Sequence, residues 1–465
     1  MSELYTRLVA GLLFPLHERL KRHDTVAILR EIERTQWLSP EALRVEQGRR
    51  LAAFMSRVAE HVPLYRDMFR ERGLQGQDFS DAGALATLPT SDKDLIRANF
   101  DRLKAEGVSG LAVQRTSGSS GEPLTFLLAR HRVAFDIAAK WRATRWWDVD
   151  FGDREAVLWG SAIEAGHQDR VRALRDALLR SWLIPTHGLN VARMDEILTR
   201  MRDFRPRMLF GYPSALAQLA FRARETGKRM DDLGIRVAFC TSEVLRPEWR
   251  EAISGAFGCG VANEYGARDA GFIARECPHG GLHITAEEVV VEVVDDDGRP
   301  LADGEEGDIV VTNLAGPEFP FIRYRTGDRG VLGGVPCPCG RSLPLLQKLA
   351  GRANDGLVSA NGAWIHGSAV NHLMRDIPGL RAYRIEQQTI DAVTVLLSLE
   401  GRLTKACTDT LTSHLKRLLG EWTRVDVKQV ETIPPLPNGK FRHIICNVPR
   451  PDSTTKQVKT ARTEA

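Results

Sequence analysis

A chain of 465 residues with 43% hydrophobic and 27% charged side chains has material for a sizeable core and room for about two to four domains. Its 64 basic and 60 acidic residues leave a net charge of +4, too small to argue for nucleic acid or a charged membrane as the partner. Seven cysteines, an odd number in a long chain, exclude a secreted disulfide framework and fit a reducing cytoplasm.

The first 75 or so residues read as helical. Leu8 to Leu16, LVAGLLFPL, is too short to span a bilayer. It lacks the cleavage site of a signal peptide and is expected to pack as a core helix rather than lie on a membrane surface. Leu51, Phe54, Met55, Val58 and Val62 recur at three- and four-residue spacing, and Pro63 ends that stripe. After Pro89, the run Thr90-Ser91-Asp92 can cap a second helical zone carrying Leu95, Ile96 and Phe100. A hydroxyl-rich loop, QRTSGSSGEPLTF, then joins the strand-like LAVQRT to PLTFLLA.

From about 130 to 260, helical stretches alternate with short apolar strands: AVLWG at 156–160, MLFGYP at 208–213 and VAFCTSE at 237–243. That alternation predicts strand–helix units and a largely parallel sheet. Between 281 and 350 the pattern turns antiparallel, with EVVVEVVDDDGRPL and GDIVVTNL joined by a turn at Asp296-Asp297-Gly298. Beyond Gly351, strands such as AVTVLLSL and the helix LTSHLKRLLGEW predict a small α+β domain. The polar end from Pro451 is expected to be disordered.

Ser, Thr and Gly in the quoted loop offer close backbone approach and hydroxyl donors, which is phosphate-binding chemistry without a lysine. The Walker pattern is absent throughout, which disfavours a P-loop enzyme. A second cluster, C-P-H-G-G-L-H at 277–283 and C-P-C-G at 337–340, pairs thiols with imidazole and suits tetrahedral Zn²⁺. The expected ligands are Cys277, His283, Cys337 and Cys339, with His279 in reserve. Such a site would be closed and structural. Cys240, Cys259, Cys407 and Cys446 read as ordinary thiols.

Five stretches in order resemble the adenylate-forming, AMP-binding enzymes: TSGSSGEP at 116–123, NEYGARDAG at 263–271, YRTGD at 324–328, GRAND at 351–355 and PNGKFR at 437–442. HVPLYRDMF, TSEVL, ECPHGGLHI, PFIRYRTGDRG and CPCG resemble the phenylacetate–CoA ligase and CapK-like branch. The resemblance implies an α/β fold with a large AMP-binding domain of sheets and a small barrel over 1–351, its first 75 or so residues a helical extension. A mobile α+β lid would follow over 352–450.

It also implies the chemistry. A carboxylate attacks the α-phosphate of ATP, giving acyl-AMP, and a thiol then displaces AMP to form a thioester. Thr116, Ser117, Gly118, Ser119, Ser120 and Gly121 would hold the phosphates, with Ser242 and Glu243 at the adenine edge. Tyr265 would lie against adenine and Gly266 would give clearance. Asp269 stands where the family usually has a Mg²⁺-binding glutamate, so its shorter arm departs from the pattern. Asp328 would accept both ribose hydroxyls and Arg352 would reach ribose or α-phosphate. Asn354 and Asp355 fall at the hinge, with an amide at the family's acidic position. Lys440 would bridge the carboxylate and the α-phosphate.

Phe210, Tyr212, Pro213 and Phe239 are the residues expected near the acyl group, and they favour an aryl or other apolar acid. The expected partners are that acid, ATP, and CoA or a carrier-protein thiol, with no nucleic acid and no membrane span; a homodimer is left open. Passing the acyl group to an amine or a sugar is the alternative enzyme reading. A degenerate nucleotide-binding protein is the non-enzymatic one.

Overall fold

A computed structural model of the chain describes residues 2–116, 124–159, 175–186, 189–352, 356–366, 370, 373–374, 377–436 and 440–448. The chain divides into two compact units, the first Met1–Leu349 with Pro437–Lys440 and the second Ala350–Leu436 with Phe441–Ala465.

The first unit begins with a continuous helical rod: Ser2–Leu8, a wider π turn over Val9–Leu13, and Phe14–Leu20. Its buried residues include Val9 and Phe14, which join Ile28, Leu29, Ile32, Phe135 and Phe151 in one cluster. Leu8, Leu12 and Leu16 are exposed, so the expectation that this stretch is a core helix holds for only one of its faces. Helix Pro40–His61 starts where the Ser39 hydroxyl accepts from the Ala42 amide, with Pro40 at the first position, where its missing N–H costs nothing. It stops at Val62, whose extended backbone is the conformation a residue before proline prefers. The predicted stripe from Leu51 to Val62 is buried throughout. Asp92 caps helix Lys93–Ala98 by accepting from the Leu95 amide at 2.8 Å.

The strands β1 (Ala112–Arg115) and β2 (Thr125–Leu128) form an antiparallel pair. Thr116 and Leu124 close its end: the Thr116 amide donates to the Leu124 carbonyl, and the Leu124 amide donates to the Thr116 hydroxyl, both at 2.9 Å. The predicted loop residues Ser117, Gly118, Ser119, Ser120 and Gly121 lie outside the described residues.

A seven-stranded sheet follows. It comprises β3 (Glu155–Leu158), β4 (Ser181–Ile184), β5 (Met208–Gly211), β6 (Val237–Thr241), β7 (Gly260–Ala267), β8 (Gly271–Glu276) and β9 (Leu282–Ile284). The order is β4-β3-β5-β6-β7-β8-β9, parallel from β4 to β7 and antiparallel beyond. Strands β5 and β6 are apolar up to the closing Thr241, as a parallel sheet covered on both faces requires. The chain runs from β4 across β3 to β5, and a doubly wound sheet binds ligands beyond the strand ends at such a reversal.

A second, four-stranded sheet contains β10 (Val289–Val294), β11 (Glu306–Asn313), β12 (Tyr324–Leu332) and β13 (Leu346–Arg352) in chain order. The reversal after β10 is built by Asp295: its carbonyl accepts from Gly298 and its carboxylate from Arg299. Gly298, the last residue of the predicted turn, takes φ +81°.

In the second unit β14 (Gly356–Val358) and β15 (Trp364–His366) form a small ladder. A mixed sheet runs β18-β17-β16-β19, with β16 Leu380–Thr389, β17 Ala392–Leu399, β18 Arg424–Gln429 and β19 Ile444–Cys446. Helix Lys405–Leu419, capped by Thr404, brings Leu411, Leu415 and Leu419 to a core that includes Tyr383, Ile385, Val395 and Leu397. The fully buried Gln387 amide serves both the N–H and the carbonyl of Val358, tying β14 to β16.

Candidate active site

The carboxyl ends of the parallel strands carry a succession of polar and aromatic groups. Trp159 follows β3, Tyr212 follows β5, and Ser242 and Glu243 follow β6. The rings of Trp159 and Tyr212 lie 4.7 Å apart, centroid to centroid, on either side of the strand reversal. Ser242 takes φ +67°, an uncommon conformation for a residue with a side chain and one that collects at functional sites. The Glu243 carboxylate accepts from the Ser214 amide at 3.2 Å, at the start of helix Pro213–Glu225, where an anion suits the exposed N–H groups.

The centre of the site is a pair of crossed tyrosine–aspartate contacts. Tyr265 on β7 donates from its hydroxyl toward Asp328 Oδ2 at 3.0 Å and lies 3.2 Å from the Thr326 hydroxyl, both residues on β12. In the opposite sense, Tyr324 on β12 donates to Asp269 Oδ2 at 2.8 Å, in the turn after β7. The two sheets are therefore braced twice, and each brace aims a carboxylate. Burial first, and then the carboxylates Asp269 and Asp328, push both phenols above their ordinary pKa. Both therefore stay protonated and act as donors at neutral pH.

Asp269 also accepts from the Ala270 amide, so two of about four lone-pair positions are used. The carboxylate retains the capacity to meet a hydrated cation, and Mg²⁺ usually binds through one or two carboxylates plus water and phosphate. A side chain on Gly266 would lie 2.7 Å from the Gly271 carbonyl, so glycine is what lets the β7–β8 turn close. Arg268 donates to the Arg115 carbonyl, linking that turn to the base of the loop ending β1.

The residues expected near the acyl group separate. Tyr212 is buried with its ring tilted by 31° against that of Trp159, and Pro213 opens the next helix. Phe210 is half-buried, with Lys140 Nζ 4.5 Å from its ring centroid and that ammonium paired to Glu155 at 2.7 Å. Phe239 is 1% exposed among Val149, Met208, Val237 and Ala262. Its ring also meets that of Trp147 edge-on, 6.5 Å centroid to centroid. Trp159 was overlooked because it ends an apolar strand pattern; its place one residue past β3 is the signal that would have found it. Arg352 ends β13, and Asn354 and Asp355 lie outside the described residues. Lys440 is half-buried.

A second site joins Cys277, His283, Cys337 and Cys339, whose ligand atoms all lie within 4.8 Å of one another. Cys277 Sγ is 3.5 Å from Cys337 Sγ with no disulfide, and Cys339 Sγ is 3.2 Å from His283 Nε2. His283 Nδ1 faces the Leu343 carbonyl at 3.3 Å. A carbonyl can only accept, so Nδ1 carries the proton and Nε2 presents a lone pair, the arrangement of a metal-bound histidine. Burial lowers the pKa of His283 to about 4 and keeps it neutral; burial likewise raises that of Cys277 to about 12. A side chain on Gly281 would sit 2.7 Å from Cys337 Sγ and 3.0 Å from His283 Nε2, so the cradle admits only glycine there. His279 is exposed and stands outside the cluster.

Residues 180–315 match the model of the AMP-binding enzymes, and residues 357–447 match that of the CapK C-terminal domain. The chain thus carries an AMP-binding enzyme domain followed by a CapK C-terminal domain. It is 27% identical over 354 residues to the phenylacetate-coenzyme A ligase of Thermus thermophilus, covering 73% of the chain and 77% of that protein. It is 22% identical over 410 residues to Protein CapK of Staphylococcus aureus, covering 86% and 89%. Its fold matches that of a 2-hydroxyisobutyryl-CoA ligase, solved in the postadenylation state with an acyl-AMP, with a TM-score of 0.71 at 20% identity over 92% of the chain and 93% of that structure.

Proposed function

We propose that this enzyme activates an apolar, most simply aryl, carboxylic acid with ATP and passes the acyl group to the thiol of CoA. An acid oxygen bonds to the α-phosphorus and pyrophosphate leaves. The thiolate then bonds to the acyl carbon and AMP leaves with its phosphate oxygen. The observation that carries this reading is the crossed Tyr265–Asp328 and Tyr324–Asp269 pair, built from the two motifs that the family uses for nucleotide.

Asp328 is the acceptor for ribose hydroxyls, held in place by Tyr265. Asp269, oriented by Tyr324, is the carboxylate for Mg²⁺, which would neutralise phosphate charge when bound. Lys440 supplies the ammonium that offsets repulsion between carboxylate and α-phosphate. Thr116 with Ser117 to Gly121 hold the leaving phosphates, and Arg352 reaches the ribose or α-phosphate. Trp159 and Tyr212 line the acid's approach beyond the strand reversal. Cys277, His283, Cys337 and Cys339 hold a structural Zn²⁺ that ties β9 to the 337–345 segment. No helix among the described residues is long and apolar enough to cross a membrane. The ATP and CoA consumed place the reaction in the cytoplasm.

The test is pyrophosphate release across a panel of aryl, fatty and hydroxy acids, with and without CoA. Acid-dependent release with CoA-dependent AMP formation is the expected result. Release without any response to CoA would move the acceptor to a carrier-protein thiol or an amine. No exchange of labelled pyrophosphate into ATP with any acid would end the enzymatic reading.

A further inference from the structure

The N-terminal rod has two faces of opposite purpose. Inward, Val9 and Phe14 are buried, and the Phe14 and Phe151 ring centroids are 3.5 Å apart. Tyr5 donates to the Leu178 carbonyl, Thr6 to Asp153, and the Arg180 guanidinium lies 3.8 Å from the Tyr5 ring centroid. These contacts dock the rod without any leucine of its outer face.

Outward, Leu4, Leu8, Leu12, Leu16 and Leu20 are 74%, 46%, 57%, 51% and 77% exposed. Five leucines at four-residue spacing are costly to leave in water. In a regular helix such a stripe would drift by about 40° per step. The wide turn at Val9–Leu13 places an extra residue in one turn and brings Leu16 and Leu20 back toward the face of Leu4 and Leu8. The backbone thus keeps the stripe together over a rod about 28 Å long. Leu178, 47% exposed beside Tyr5, widens the apolar surface.

The charges around the stripe point to its occupant. Arg7, Arg19, Lys21 and Arg22 are exposed, and Glu3 is the only exposed acid from Ser2 to His23. The other acid, Glu18, is buried, where it accepts from Thr25 and meets His17 and His23. A helix with an apolar face flanked by arginine and lysine is built to lie in the interface of an anionic bilayer. A second copy of the rod would bring one basic set against another whichever way it ran, which opposes self-association.

We propose that residues 2–22 are an interfacial anchor that seats this enzyme on anionic membrane surfaces, leucines in the acyl boundary and basic side chains at the headgroups. The test is flotation of the full chain with vesicles of phosphatidylcholine alone or mixed with phosphatidylglycerol, at low and high salt. Binding to the anionic vesicles that weakens with salt is expected. The triple variant Leu8→Gln, Leu12→Gln, Leu16→Gln should lose binding at least about tenfold while its unfolding temperature and pyrophosphate release stay unchanged. Arg19→Glu with Lys21→Glu should abolish the preference for anionic lipid. The proposal is overturned if the wild-type chain does not float with anionic vesicles at low salt, or if the triple variant floats as well as wild type. A dimer in sedimentation analysis that the triple variant dissolves, without vesicle binding, would also overturn it and assign the stripe to a second copy.

Discussion

Two hydroxyls and two carboxylates decide how the proposed nucleotide site is held. Tyr265→Phe removes the donor that aims Asp328 and leaves a half-buried carboxylate short of one partner. Losing such a bond costs about 1–3 kcal/mol, so ATP affinity should fall roughly fivefold or more in calorimetry, with a smaller drop in urea stability. Lys440→Ala should lower acyl-AMP formation by about 10²–10³-fold, the scale of removing one preorganised charge partner at a reacting phosphate, with ATP affinity nearly intact. Unchanged pyrophosphate exchange in that variant would take Lys440 out of the chemistry. Tyr265, Asp269 and Asp328 stood out because each sits in a short contiguous motif. Neither tyrosine–aspartate contact did, because the members are 63 and 55 residues apart and meet only when β12 folds against β7 and the turn after it. Phe239 shows a different limit: an aromatic in a strand is the same letter whether it faces a ligand or the side chains of a core.

Between elements, buried ion pairs take over from hydrophobic contact. Arg142, on helix Arg130–Arg145, donates to Glu287 at 2.7 Å and to the Ile32 carbonyl, and Thr35 donates to the same Glu287 oxygen at 2.6 Å. Both members of the ion pair are buried, at 2% and 0% side-chain exposure. Arg142→Met strands the carboxylate and should cost about 3–5 kcal/mol in denaturant unfolding, while adding Glu287→Met should recover much of the loss. The proposed zinc clasp belongs to the same scale. Metal analysis should find about one zinc per chain, absent from Cys337→Ser, and a strong chelator should lower the unfolding temperature of wild type but not of that variant. A freshly purified chain without zinc would leave four thiol and imidazole groups with only each other. Helix limits were readable from Asp92 and Pro63, which act locally. The outward leucines were not, because their spacing says which residues share a face but not whether that face meets a core.

Across the molecule, the change from alternating to antiparallel patterning near residue 281 foretold two kinds of sheet, and the structure has both. Parallel strands announced themselves as short apolar runs because both their faces are covered. Strand order was not written in any run: that β4 lies outside β3 while β5 lies on its other side follows from crossover connections, a property of paths rather than residues. The two hydrogen bonds between Thr116 and Leu124 carry a last consequence. A segment whose two ends are stapled to each other is a cassette. Its interior can be exchanged for that of a relative, lengthened or shortened, while β1 and β2 continue to see the same pair of residues. On the proposed role of this segment, evolution can retune the hold on phosphates without renegotiating the sheets beneath it, and a grafted loop should change the affinity for pyrophosphate while β1 and β2 keep their register.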